Sequence, residues 1–185
     1  MKKVLFFSLA FFAVFSHAFA QYEKGDLALN AGFSFGLIGY GYGYYGSASG
    51  FLPLSVNVEY SLNDKWAIGP YLGFFSRSYG SGDFRFTALS FGGRGTFHAS
   101  SFLNENLDMN ISEKVDIYAS LLLGVETLSW KYRDESISGY YSNGSRVIFG
   151  PTVGVRYQFT PKFGAFFEAG RGAFGFGTLG VTGKF

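Results

Sequence analysis

The chain has 185 residues, with 15 Lys and Arg against 13 Asp and Glu, a formal net charge of +2 and no cysteine. One domain fits that length; disulfides and thiolate metal sites are excluded, and nothing in the charge balance points to nucleic acid. With 24 Phe, 13 Tyr and 27 Gly, 4 Pro and no long window dominated by helix formers, the composition favours β-structure.

Met1-Lys2-Lys3 is a positive n-region, residues 4–15 are an apolar run broken by Ser8, and Ala18-Phe19-Ala20 is a small-x-small cleavage site. Together they predict a secretory signal peptide over residues 1–20. The apolar run falls short of the roughly 20 residues that a membrane-spanning helix needs. The expected mature chain, 21–185, loses Lys2 and Lys3 with the leader, which takes its net charge from +2 to 0. No cysteine follows the leader, so a lipid anchor through an N-terminal cysteine is excluded.

The mature chain then reads as eight alternating strands. The first, 25–35, sets Leu27, Leu29, Phe33 and Phe35 against Asp26, Asn30 and Ser34. A Gly/Tyr loop over 36–50 contains Gly41-x-Gly43-x-x-Gly46. That string matches a dinucleotide fingerprint, but no helix pattern follows it, and a surface loop is the better reading. The second strand, 54–62, alternates Leu54, Val56, Val58 and Tyr60 with Ser55, Asn57, Glu59 and Ser61. A turn at 63–65 leads to the third, 66–78, where Trp66, Ile68, Pro70, Leu72 and Phe74 oppose Gly69, Tyr71, Gly73, Phe75 and Arg77.

After a loop beginning at Ser81-Gly82-Asp83, the fourth strand runs to His98, with Leu89, Phe91 and Phe97 opposite Ser90, Arg94 and Thr96. Phe84 and Phe86 fall out of phase with Leu89, which predicts a bulge near Thr87-Ala88. Residues 99–114 lose the alternation and are polar enough to hold a short helical turn. The fifth strand, 115–130, places Ile117, Leu121, Leu123 and Val125 opposite Asp116, Tyr118, Ser120 and Glu126. A charged, Ser/Gly/Tyr-rich loop over 131–145 leads to the sixth, 146–159, where Val147, Phe149, Val153, Val155 and Tyr157 oppose Arg146, Thr152 and Arg156. The seventh is 163–171, and the last is Thr178-Leu179-Gly180-Val181-Thr182-Gly183-Lys184-Phe185. Pro70 and Pro151 lack a donor and mark a bulge or a local break in the ladder.

In each strand one face is apolar and the other collects the charges: Glu59, Arg77, Arg94, Asp116, Glu126, Arg156, Glu168 and Lys184. Eight strands enclose an interior only wide enough for side chains, and the apolar set is too bulky and aromatic to fit inside. The faces are therefore inverted, with the large residues toward lipid and the polar ones toward the lumen. An arginine facing lipid at mid-depth would cost roughly 2–4 kcal/mol, a cost that parity avoids at Arg94 and Arg156. Closure pairs every backbone group, as a hydrocarbon environment demands. The expected fold is an all-β, eight-stranded antiparallel up-and-down transmembrane β-barrel with a polar, side-chain-filled lumen.

The closing Gly180-Val181-Thr182-Gly183-Lys184-Phe185, Glu168, the run Gly92-Gly93-Arg94-Gly95 and Gly69-Pro70-Tyr71-Leu72-Gly73 resemble the small outer-membrane barrels of the OmpA/OmpX-like superfamily. The resemblance spans the mature chain, and the 99–114 connection departs from it by being long. It implies an outer-membrane location in a Gram-negative envelope, periplasmic termini, outward loops at 36–50, 79–83, 131–145 and 172–177, and inward turns at 63–65, 99–114 and 160–162. It also implies contact with outer-membrane lipid and lipopolysaccharide, and delivery by the barrel-insertion machinery through a C-terminal signal ending in Phe185. Trp66 and Trp130 are expected near opposite interfaces, as parts of an aromatic belt.

His98-Ala99-Ser100 resembles the H-x-S string of lipid A deacylases. It falls at the periplasmic end of the fourth strand, no acidic partner is visible from spacing, and neighbours in sequence are weak evidence for a site. The bland reading is that His98 caps the rim of the polar lumen. The lumen charges line an ion path or pair into a plug, and a narrow barrel favours the plug. The expected function is non-enzymatic, without cofactor or metal: a barrel serving envelope integrity or surface interaction through its loops, toward a partner the sequence does not identify. A small channel and a lipid A-modifying enzyme are the alternatives.

Overall fold

The computed structural model describes residues 22–37, 48–50, 52–79, 84–132 and 143–185. The expected signal peptide, the Gly41-x-Gly43-x-x-Gly46 string and most of the loop residues at 79–83 and 131–145 lie outside them.

The described chain forms β1 (Leu27–Leu37), β2 (Ala48–Gly50), β3 (Leu54–Ser61), β4 (Trp66–Tyr79), β5 (Phe84–His98), helix α1 (Ala99–Leu107), β6 (Val115–Tyr132), β7 (Gly144–Gln158), β8 (Phe163–Gly170) and β9 (Gly175–Lys184). All neighbouring pairs are antiparallel. The order β4-β3-β1-β9-β8-β7-β6-β5 is closed by the β4–β5 ladder. Segments β2 and β3 both pair with β4 and are two parts of one wall strand, so the barrel has eight. Between Gly50↔Arg77 and Leu54↔Phe74, three residues of this strand oppose two of β4. One extra residue is thus accommodated next to Pro53.

Closure removes both edges. Even the last residue is paired: Leu27 N–H donates to the Phe185 carbonyl and Phe185 N–H to the Leu27 carbonyl. The prolines sit where their missing donors are tolerated. The β3–β4 ladder stops after Asn57↔Tyr71 and resumes at Tyr60↔Ile68 in unchanged register, leaving a gap beside Gly69 and Pro70. Glycine is required there, because a Cβ on residue 69 would lie 1.8 Å from the Val58 carbonyl oxygen. Pro151 lies just beyond Thr152↔Gly170, where the β7–β8 ladder ends, and its carbonyl accepts from Arg171 N–H.

The period-2 reading assigns the faces correctly. Leu29, Leu72, Phe91, Leu121, Leu123, Val153 and Val181 point outward and are exposed, whereas Asn30, Glu59, Arg94, Asp116, Arg156, Glu168 and Thr182 are buried in the interior. The expected bulge near Thr87-Ala88 is absent. The β4–β5 register is continuous from Trp66↔Phe97 to Tyr79↔Phe84, and Phe86 is buried on the interior side with Ala88 and Ser90. Trp130 also departs from expectation. It lies at the opposite end from the outward-facing Trp66, but it packs against the interior cluster, with its ring centroid 4.6 Å from that of Phe86.

The expected helical turn is a nine-residue helix, α1, followed by an irregular return to β6. Asp108 (φ 48°) ends it in the left-handed region, which Asp and Asn tolerate, and Asn110 (φ 50°) follows. The Asn104 amide spans the return, accepting from Ile111 N–H (2.7 Å) and donating to the Ile111 carbonyl (3.1 Å).

Candidate functional site: the barrel lumen

The interior is filled in three layers, set by which inward residues the registers bring level. At the termini end, Asp116↔Arg156 is a direct cross-strand pair of β6 and β7, and His98 on β5 is opposite Tyr118. Asp116 Oδ2 lies 2.9 Å from His98 Nδ1 and 3.4 Å from Arg156 Nη1. Tyr22, preceding β1, closes this end. Its ring stacks on His98 with centroids 4.1 Å apart and an interplanar angle of 23°, and its hydroxyl accepts a hydrogen bond from Arg156. The Arg156 guanidinium lies over the rings of Tyr22 (5.2 Å) and Tyr118 (4.9 Å).

The middle layer is ionic. Glu59 receives Arg156 Nη2 at 2.9 Å on one oxygen, and the Thr96 hydroxyl at 2.7 Å with Arg94 Nε at 3.4 Å on the other. Arg94 reaches on to Glu168 with both Nη atoms (3.2 and 2.5 Å) and donates to Ser120 Oγ at 2.8 Å. The Tyr118 hydroxyl donates to Glu168 at 2.9 Å. Two guanidiniums thus serve three carboxylates in one connected network. Burial removes water from all five groups, so these hydrogen bonds are what make their charged state tolerable.

Toward the loop end the polarity changes. Glu126 pairs with Arg146 at 2.7 Å, again in direct register. Around it Tyr71, Phe75, Phe86, Ala88, Leu122, Ile148, Ala173 and Phe174 form a buried apolar cluster. Ala173 and Phe174 come from the β8–β9 connection, which folds into the barrel mouth: Phe174 is 1% exposed, with its ring 6.1 Å from Phe75. The lumen is therefore polar in its lower and middle parts and aromatic near the loops. Among the described residues, a small cavity lies beside Tyr22, His98 and Asp116 and another beside Arg94, Glu168 and Ala173, each with room for about one water.

Of the eight sequence-derived charges, the fold joins Glu59, Arg94, Asp116, Arg156 and Glu168 in one network and sets Glu126 apart with Arg146. Lys184 lies at the termini end, 2.7 Å from Asp26. Arg77 is half-buried near the loop end, across from Phe86 in register. Sequence reasoning missed Tyr22, Phe174 and the Arg146 and Asp26 partners. The two ion-pair partners carried a usable signal, since both alternate onto the charged face.

His98 does have an acidic neighbour, Asp116, which spacing could not show. Ser100 is committed elsewhere: its hydroxyl donates to the Val115 carbonyl (3.2 Å) and accepts from Ile117 N–H (2.7 Å). This ties α1 to the start of β6. Among the described residues there is no group of His, Cys, Asp and Glu suited to a metal ion, and no helix long and apolar enough to cross a membrane.

No family model matches the sequence, and no curated protein matches it. Solved structures do. Ail, the attachment invasion locus protein of Yersinia pestis, superposes over 88% of this chain and 99% of its own with a TM-score of 0.51 at 17% identity. The fold is that of a small outer-membrane barrel. Ail in complex with the heparin analogue sucrose octasulfate gives 0.50 at 13% identity, over 88% of this chain and 99% of that one. The N-terminal β-barrel domain of Pseudomonas aeruginosa OprF covers 88% and 98% with a TM-score of 0.47 at 14% identity.

Proposed function

We propose that this chain is a non-enzymatic outer-membrane barrel whose lumen is sealed, and that it serves envelope integrity or surface interaction through its loop end. The observation that carries the reading is the inverted polarity. Charged, hydrogen-bonded residues fill the inside, while Leu, Val and Phe cover the outside at mid-strand. Water on both sides would leave that outer face unpaired with anything apolar; a bilayer covers it, and closure satisfies the backbone there. Tyr60, Trp66, Tyr157, Phe159, Phe163 and Phe185 are exposed around the termini end, where an aromatic girdle would meet the interface.

In this reading the N-terminal leader exports the chain, and the strand ending in Phe185 is handed to the barrel-insertion machinery. The termini face the periplasm and the loops face outward. Outer-membrane lipid and lipopolysaccharide surround the wall. Ail, a barrel of this fold, is solved in complex with a heparin analogue, which supports surface interaction for this chain.

The test is membrane fractionation combined with gel migration before and after boiling. The expected result is recovery in the outer-membrane fraction with a heat-modifiable band. Recovery as a soluble periplasmic protein without such a shift would overturn the reading.

A further inference from the structure

Helix α1 repeats, on a small scale, the inside-out arrangement of the barrel. Three of its polar residues turn inward: Ser101 is buried, Ser100 is bonded to the β6 backbone, and Asn104 holds the return at Ile111, while Glu105 and Asn106 are exposed and the Asn106 amide donates back to the Phe102 carbonyl at 2.9 Å. Its apolar residues Phe102 and Leu107 are exposed, and Leu103 lies half-buried between them on the helical wheel. A soluble connection would place these the other way round.

The exposed side is continuous with the apolar outer wall. The Trp66 and Phe97 rings, on paired residues of β4 and β5, lie 4.9 Å apart, and Phe97 meets Phe102 of the helix at 6.3 Å. The aromatic row thus runs from the barrel surface onto α1 without a break. The helix has neither Lys nor Arg, and its Glu105 is held by Lys65 at 2.8 Å. Attraction to anionic headgroups is therefore not what would seat it. Both of its ends are tied to strands, so about 13 Å of helix needs no independent affinity for a surface.

We infer that α1 is an interfacial helix: its outward face, Phe102, Leu103 and Leu107, lies in the phospholipid surface that rings the termini end of the barrel. The inference rests on the outer-membrane reading above. It commits the long 99–114 connection to lying flat on the bilayer, with no projection into the periplasm.

The chain has no cysteine, so single nitroxide labels can be placed cleanly. The mature protein is reconstituted in phosphatidylcholine vesicles with labels at Leu107→Cys or Phe102→Cys, and accessibility to oxygen is compared with that to a water-soluble nickel chelate. Glu113→Cys, in the exposed return, is the water reference, and Leu123→Cys, at mid-wall, the lipid reference. The expected result is an oxygen-to-nickel ratio at 107 and 102 several-fold above that at 113, unchanged by anionic lipid or salt. Nickel access equal to that at 113 would overturn the inference, as would low access to both reagents, which marks a second copy or another protein on that face. Nickel access at Leu123 as well would instead mean that the membrane reading itself has failed.

Discussion

Arg94 of β5 crosses the lumen to Glu168 of β8, three strands away around the wall, and meets it with two hydrogen bonds of 3.2 and 2.5 Å. Glu59, on the opposite flank of the guanidinium, is 3.4 Å from Nε. One arginine therefore stands between two buried carboxylates contributed by different parts of the barrel. Replacing it by Leu leaves Glu168 without its cation and Glu59 with Arg156 alone. The expected cost is about 3–5 kcal/mol in resistance to unfolding, read from denaturant titration in detergent. Arg94→Lys keeps the charge but loses the forked contact, and should fall between the wild type and Leu. An Arg94→Leu variant as stable as the wild type would show that water already screens these carboxylates.

The run Gly92-Gly93-Arg94-Gly95 separates by face. A Cβ on residue 92 would lie 2.2 Å from the Leu123 carbonyl oxygen and 2.9 Å from the Tyr71 ring, whereas residues 93 and 95 have nothing within 4 Å. Gly92→Ala should displace Tyr71 from its 3.0 Å bond to Ser90 and cost about 1–3 kcal/mol. Gly93→Ala and Gly95→Ala should fold with wild-type heat resistance. Equal melting temperatures for all three variants would contradict the packing described around Tyr71.

Tyr22 is fixed by ring stacking on His98 and by its bond to Arg156. Tyr22→Phe removes the bond and keeps the stack, with an expected loss of about 1.5–3 kcal/mol for a contact to a charged group. Tyr22→Ala removes both and should lose more, on the order of the 3–5 kcal/mol that truncating a buried aromatic costs. Hydrogen exchange should then quicken at His98 and Asp116 before it does at Leu122. Indistinguishable exchange in Tyr22→Ala would show that the segment before β1 is not a plug.

The fold was legible because lipid and lumen demand opposite side chains at alternate positions, so parity alone separated Leu121 from Asp116 and Phe91 from Arg94. The errors came where that contrast fails. Near the loop end the interior is itself aromatic, so Phe86 and Trp130 look like outer-face residues, and an invented bulge or belt position is needed to place them outside. The cause of that aromatic interior, Phe174, enters from a connection whose local pattern says nothing about direction. The pairings were equally out of reach: strand alternation says that Glu59, Arg94 and Glu168 share a face, but only barrel closure sets β3, β5 and β8 across from one another. Tyr22 precedes the first alternating residue and acquires its role solely by folding back under the barrel.

Side chains fill this barrel from Tyr22 at the termini end to Phe174 at the loop end, and the proposed function requires that this filling seal it against ions. Single-channel recording in planar bilayers tests it most directly, with the wild type and Arg94→Leu compared under identical salt. A sealed lumen predicts no stable, discrete conductance from the wild type, and a marked loss of unfolding resistance in the variant. Discrete wild-type steps whose ion selectivity shifts in Arg94→Leu, with unfolding unchanged, would contradict it and make the same residues the lining of a pore.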